Sequence, residues 1–460
     1  MRRPIWVIPD ASHGHRGQHI ERHNSMTRQY YKTLASLVLC AVTTERVWSE
    51  PSLEIDLGQF GARGDGQTDD SVNVQRALTY CSTRGATCRI SANSKYLITQ
   101  PLFLWGNAKL HGDDGTGELV FKVASAPYLL NIGISGMKDL AAIFRGEISN
   151  ATFRVIGGSG GRIIYFWRTR DARIEHNAFY VGSYAYSATS SGNDNSWVVN
   201  GFSNCVRENI KITGNKIYAS AAEAGSEGIG VANFNGAIIS DNEVVGVGDD
   251  PVGIHFSAHV VVNNNVLKSV HGRAFVSNSN DVVISNNTIE RMSSSTDHRF
   301  YVGIALIYVG FENQDTNSWN APRGIQIYHN HMHYPPGALD QGAAINLNGV
   351  KATTVEDNQI INDSPSVIAT GLHVSPVLFS GPWSDPERIE FGSIASVWDV
   401  AIQRNKVGGR FPQSLIMTGN CVNYKGKVTV QDNVAAGFSF YCGNAVFPKD
   451  RNIRVGETKS

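Results

Sequence analysis

One six-residue phrase, apolar–polar–polar–Asn–any–apolar, recurs nine times in this 460-residue chain and constrains its fold more than any other feature. It runs from Ile174 to Phe179, Ile212 to Ile217, Ile239 to Val244, Val262 to Leu267 and Ile284 to Ile289. It continues from Ile327 to Met332, Val355 to Ile360, Ile402 to Val407 and, more weakly, Val430 to Ala435. The asparagines fall at 177, 215, 242, 265, 287, 330, 358, 405 and 433, at intervals of 38, 27, 23, 22, 43, 28, 47 and 28. A recurring step of 22–28, with 43 close to twice the shortest, marks a solenoid. The alternation inside each phrase has period two and predicts a strand. One strand-plus-turn unit of this length fits one coil of a parallel β-helix, in which each coil hydrogen-bonds to the next. The asparagine is expected inside, at a turn, in left-handed backbone geometry. Its amide would bond the asparagines above and below it.

Lys+Arg and Asp+Glu number 40 each, so charge gives no footprint for nucleic acid or an anionic membrane. The 46 glycines suit a turn-rich repeat. The most apolar run, 34–42, is far short of the roughly 18 residues of a membrane span. It reads instead as the core of a signal peptide. A basic stretch from Met26 to Lys32 precedes it, and small residues precede Glu50. The expected organisation is a leader or over-extended start at 1–25, a signal peptide at 26–49 and one β-helix domain at 52–460. On that reading the protein is exported, secreted or periplasmic. Cys81 and Cys88 close a short loop, and Cys421 and Cys442 lie 21 residues apart, about one coil. Both pairings suit an oxidising compartment, with Cys205 left as a buried thiol and Cys40 leaving with the signal.

The block from Ile55 to Gly117 predicts how the solenoid begins. Glycine-punctuated Phe60-Gly-Ala-Arg-Gly-Asp-Gly-Gln-Thr-Asp-Asp70 leads into a helix, with Asp69 or Asp70 as N-cap. Val74, Ala77, Leu78 and Cys81 form its apolar stripe, and Gly85 ends it. Arg89-Ile90, Tyr96–Ile98, Leu102–Leu104 and Lys109–Gly112 read as strands. A β-helix must cover its open apolar end, and this helix is the expected cap. The block resembles the opening motif of the pectate-lyase superfamily in Phe60–Asp70, Gln75-Arg-Ala77, Tyr96-Leu-Ile98 and Leu110-His-Gly112. It departs at Ser91–Lys95. The resemblance implies a right-handed coil and structural aspartates in this block. It does not choose among hydrolases, lyases, epimerases and tailspikes.

The densest acidic cluster is Gly246-Val-Gly-Asp249-Asp250. Glu227 lies 22 residues before Asp249 and His271 lies 22 after it, so Glu227, Asp249, Asp250 and His271 are expected on one side of three consecutive coils. Two carboxylates flanking a glycosidic bond are the minimum for hydrolysis. The cluster resembles that of the polygalacturonase family, which carries Gly-Asp-Asp on one coil and Gly-His-Gly on the next. Gly248-Asp249-Asp250 matches the first element, and Val270-His271-Gly272 most of the second. The family's Asn-Thr-Asp becomes Ser226-Glu227-Gly228 here. Its Arg-x-Lys is missing from the coil after His271; Arg404-Asn-Lys406 has the spelling but sits in a repeat phrase. Arg273 and Arg299 are the substitutes for reading a substrate carboxylate, and Tyr301 is a further sugar contact.

The assigned roles are Asp250 as general acid, Asp249 and Glu227 as water activators, and His271 in support, with Asp249 and Asp250 as exposed turn carboxylates. No metal or cofactor is needed for hydrolysis. β-Elimination on a uronate polymer is the alternative, with calcium held by Asp249, Asp250 and Glu227 and with Lys268, His271 or Arg273 as base. A non-catalytic glycan-binding protein and a trimeric tailspike are further alternatives. Aromatic residues in the long intervals 178–211, 290–326 and 361–401, Tyr180 among them, offer sugar platforms or local packing.

Overall fold

The computed structural model describes residues 53–124, 126, 128–133, 142–158, 160–182, 186–190, 207–219, 227–247, 250–269, 274–277, 279–291, 304–307, 322–337, 343–365, 370–375, 397–411, 413–417, 424–435, 438–442, 445–446 and 453–455. They belong to a compact body spanning Ser52–Ser460. The expected leader and signal segments, Cys40, Cys205, Cys421 and the side chain of Cys442 lie outside the described residues.

Each coil contributes one strand to each of three sheets. Among the described residues the first sheet has 15 strands and the other two 13 each. Neighbouring coils pair in parallel, while the C-terminal strands Phe438–Cys442 and Ala445–Val446 pair antiparallel. The repeated phrase proves to be a corner rather than one strand. Ile239 lies at the end of strand Asn235–Ser240 in the first sheet, and Val244 lies in strand Glu243–Val245 of the second. The first apolar residues of successive phrases stack in register from Ile212 through Ile239, Val262 and Ile284 to Ile327, all fully buried. The last apolar residues do the same from Ile217 through Val244 to Leu267 in the second sheet. The phrase therefore supplies core to two walls.

The asparagine between them faces inward. All nine phrase asparagines are at most 3% exposed. Asn242 donates its backbone N–H and its amide to Asn265 Oδ1, each at 3.0 Å, and Asn265 donates both to Asn287 Oδ1 at 2.9 Å. The left-handed geometry belongs not to these asparagines but to the residue before each: His176, Gly214, Asp241, Asn264, Asn286, His329, Asp357, Arg404 and Asp432 have φ between 54° and 66°. That residue turns the chain, which leaves the asparagine free to point inward. The interval of 43 is one coil and not two, because Asn287 bonds directly to Asn330 at 3.0 Å. The intervals of 38 and 47 are likewise single coils carrying insertions.

The N-terminal block follows its expected course. The helix is Ser71–Arg84, with Val74, Ala77, Leu78 and Cys81 fully buried against the core and left-handed Gly85 closing it. Cys81 is disulfide-bonded to Cys88 on the strand Thr87–Ile90. Asp70 is the N-cap residue, but its carboxylate turns away from the helix to accept from the backbone N–H groups of Arg63 (2.7 Å) and Gly64 (2.9 Å). Asp69 instead accepts from Ser71 N at 3.0 Å. These aspartates hold the loop's backbone, a structural role.

Asp65 accepts from the N–H groups of Thr68 and Gln67, and these bonds hold its carboxyl at about 2, below the ordinary 3.8. A depressed folded value means that the contribution to stability is present above pH 3.8 and lost as pH falls towards about 2. Acidification through that window should speed hydrogen exchange at the Gln67 and Thr68 amides, and Asp65→Asn should remove the pH step. Gly112, the last residue of the Leu110-His-Gly112 match, has a steric reason. A Cβ there would stand 2.1 Å from the backbone oxygen of Asn150. Gly112→Ala should cost about 1–3 kcal/mol in chemical denaturation, because a backbone on the adjoining coil has to move.

Candidate active site

The third sheet is unlike the other two. Strand Asn235–Ser240 of the first sheet alternates between buried and more exposed positions, whereas Ile229–Ala232, Val252–His255 and Ala343–Asn348 of the third are buried at every position. The long intervals of the chain fall on the connections into and out of this sheet. Insertions on a solenoid gather on one face, and that face is usually the binding face.

Two coils on this sheet carry Glu227 and Asp250, two of the four residues expected to form the site. Ile229 pairs with Val252, Gly230 with Gly253, Val231 with Ile254 and Ala232 with His255. Ile229, Val231, Val252 and Ile254 are fully buried in the core. Gly230, Ala232, Gly253 and His255 therefore alternate to the outer face. Carried back two residues, the register sets Glu227 beside Asp250, and Gly228 N–H donates to Asp250 O at 2.9 Å. Neighbouring strands stand about 4.8 Å apart, so the two carboxylate-bearing residues occupy matching places on adjoining coils. Asp250 is not an exposed turn residue: it is 5% exposed. That burial corrects the expectation of a solvated turn at this position.

The sequence overlooked His255. Its Nε2 lies 3.9 Å from Glu227 Oε1, and it is 6% exposed. The signal was available in Gly253-Ile-His255, since a period of two puts the histidine on the same side as the glycine. Gly253 is the floor between them. A Cβ there would meet His255 Nε2 at 3.1 Å and Glu227 Oε1 at 3.7 Å. Gly230 sits beside it on the preceding coil. The result is a strip of bare backbone walled by an acid and an imidazole.

Farther along the same outer row, Asn346 and His373 are register partners, with His373 Nδ1 2.9 Å from Asn346 Oδ1. Burial pushes the His373 imidazole below its ordinary value. Polar groups thus continue along the face beyond the acidic pair.

Asp249, His271, Arg273, Arg299 and Tyr301 lie outside the described residues. Arg404-Asn-Lys406 is structural, as its place in a repeat phrase suggested. Arg404 pairs with Glu356 (2.7 Å) and Asp357 (2.8 Å) on the neighbouring coil, and Asn405 belongs to the internal ladder. Tyr180 is not an open sugar platform. One face carries the Arg154 guanidinium at 4.3 Å, and its ring stacks on Tyr218 with centroids 5.7 Å apart. Among the described residues no helix is long and apolar enough to cross a membrane.

Residues 198–375 match the family described as right-handed β-helix region. The chain folds as a right-handed parallel β-helix. That is the fold implied by the pectate-lyase-like opening motif. No curated protein gives a significant match. Solved structures of similar fold include the Streptococcus pneumoniae surface protein and adhesin PfbA, with 13% identity over 88% of this chain and 100% of that one, TM-score 0.49. Another is the exopolygalacturonase of Thermotoga maritima, with 13% identity over 86% and 93%, TM-score 0.44. A third is the catalytic unit of the α-1,3-glucanase of Streptomyces thermodiastaticus, with 14% identity over 89% and 68%, TM-score 0.48. These are likenesses of fold, and none carries a site or a reaction across to this right-handed β-helix.

Proposed function

We propose that the protein is an exported enzyme that cleaves an acidic polysaccharide by glycoside hydrolysis. The observation that carries this reading is the approach of Glu227 to His255, 3.9 Å apart beside Gly253, with Asp250 at the matching backbone position on the adjoining coil. Gly230 and Gly253 are buried, and His255 and Glu227 stand against Gly253, so a polymer lying along the third sheet meets these two side chains there. Asp250 is the proton donor to the glycosidic oxygen, because of two carboxyls the one shielded from water is the better placed acid. Glu227 activates the attacking water, and His255, 3.9 Å away, orients it and steadies the charge that moves through it. The Gly-Asp-Asp resemblance supports the same pair. Asp249 and His271 remain candidates for water activation and support, and Arg273, Arg299 and Tyr301 for substrate contact.

Elimination would add a cation to neutralise the uronate. The hydrolytic steps above use protein groups alone. One assay separates the readings: incubate the protein with acidic and neutral polysaccharides and follow reducing ends together with absorbance of unsaturated uronate. New reducing ends without that absorbance are the expected result. Both signals together, abolished by a chelator, would replace hydrolysis with calcium-dependent elimination. Binding with neither signal would make this a glycan-binding protein.

A further inference from the structure

The first sheet carries a second feature, on a different side from Glu227 and His255. A concavity of about 570 Å³ crosses four coils there. Its floor is a register row of Arg173, Lys211, Ile238 and Val261, one residue from each coil. Asp171, Asn209, Gly236 and His259 flank this row. All four have left-handed backbone, with φ of 54°, 52°, 88° and 57°, and they line one edge of the row.

The charges are arranged unusually. Arg173 and Lys211 are exposed and are direct partners on adjacent strands. Like charges facing each other across a sheet destabilise it. Some arginines elsewhere on the solenoid are neutralised: Arg89 by Asp113 and Arg170 by Glu208, both at 2.7 Å, and Arg404 by Glu356 and Asp357. Neither Arg173 nor Lys211 makes a close ion pair among the described residues, although Glu147 is the register partner of Arg173 on the preceding coil. The lining holds one carboxylate, Asp171, and that accepts a hydrogen bond from Asn209 Nδ2 at 3.0 Å. Beyond the cations the row turns apolar, and Ile238 is 39% exposed. The concavity thus joins two adjacent cations that make no close ion pair among the described residues, an aliphatic strip, and a rim of amide and imidazole groups, the imidazole of His259 lying 3.6 Å from Asp281. A uronate-bearing oligosaccharide presents the matching features of carboxylate, apolar C–H ring face and hydroxyls.

We propose that this concavity is an accessory binding site for an acidic polysaccharide. A uronate carboxylate sits on Arg173 and Lys211, and the following rings lie over Ile238 and Val261. A pyranose is about as long as one strand spacing, so successive rings keep step with successive coils. The proposal rests on the carbohydrate reading above but not on cleavage. It makes the solenoid two-sided, holding polymer on the first sheet while the third sheet acts on it.

The test uses the full chain with Glu227→Gln, so that turnover does not interfere, and measures affinity for polygalacturonate, alginate and dextran by calorimetry. At least one acidic polymer should bind, more weakly as salt is raised, and dextran should not. Adding Arg173→Gln and Lys211→Gln should weaken binding at least tenfold, and Ile238→Asp should weaken it too. In the otherwise wild-type chain the two glutamine substitutions should leave cleavage of short oligosaccharides unchanged. Affinity within twofold after the double substitution would overturn the proposal, as would failure of every acidic polymer to bind. A chain that cleaves nothing but binds through Arg173 and Lys211 would refute the hydrolase reading and leave this one standing.

Discussion

Asn265→Leu should lower the unfolding free energy by about 2–5 kcal/mol, the largest loss expected from a single polar residue of the solenoid wall. Asn265 sits mid-ladder. Its Oδ1 is the acceptor for both the backbone N–H and the amide of Asn242. Its own amide donates to Ile239 O at 2.9 Å, Asn263 O at 3.1 Å and Asn287 Oδ1 at 2.9 Å. Leucine fills the space but strands two donors of Asn242 in a region without water, and each such group costs about 1–3 kcal/mol. Asn177 is the natural contrast. Its Oδ1 serves one donor of the preceding coil, Ala151 N at 3.0 Å. Asn177→Leu should therefore cost distinctly less. Urea denaturation of both variants decides this. Equal losses, or a loss below about 1 kcal/mol at Asn265, would mean that the ladder contributes shape rather than stability.

The ladder also shows what a single sequence can reveal. Burial and stacking of the asparagines were readable because a polar residue recurring among apolar ones must find partners, and the other asparagines are the partners on offer. A turn at the asparagine was readable, but not that the residue before it makes the turn and divides the phrase between two sheets. Six residues alternating with period two look like one strand, and a single left-handed residue such as Asp241 converts them into the end of one strand and the start of another. Asp, Asn, His, Gly and Arg all fill that position here, so composition gave no warning. The helical cap was legible to the residue, because Val74, Ala77, Leu78 and Cys81 have helical spacing and Gly85 stops the chain. Its cap chemistry was not, since Asp70 binds the loop six and seven residues behind it.

The site was half legible for a related reason. Asp250 stood out as part of an acidic pair, and the coil length led back to Glu227, but the true offset between their coils is 23 and not the 22 inferred from Asp249. In a sheet one residue exchanges inside for outside, so the carboxylate matched with Glu227 changes from Asp249 to Asp250. Nothing in the acidic spacing marks His255, because the histidine at the expected offset is His271, one coil later. Its position became significant only once Gly230 and Gly253 were seen to lie side by side.

Glu227→Gln should reduce kcat on the cleaved polysaccharide by about 10²–10⁴-fold while leaving KM within a few fold, since the amide keeps the shape but cannot take up a proton. Its side chain is 19% exposed, so the fold should tolerate the change. Asp250→Asn should lose as much activity, but being 5% exposed it is expected to shift the thermal midpoint as well. Glu227 is therefore the cleaner probe. His255→Gln should cost less activity than either carboxylate substitution. Gly253→Ala tests the floor. The added methyl lies 3.1 Å from His255 Nε2 and 3.7 Å from Glu227 Oε1, so it intrudes on the groove without touching the apolar interior. Activity should fall while the denaturation midpoint stays close to that of the parent. If Glu227→Gln and Gly253→Ala both cleave at the parental rate, the third-sheet face at these coils is not where the chemistry occurs. The β-helix would stand, and the acid and base would have to be sought on other coils of the same face, beginning with the row that carries Asn346 and His373.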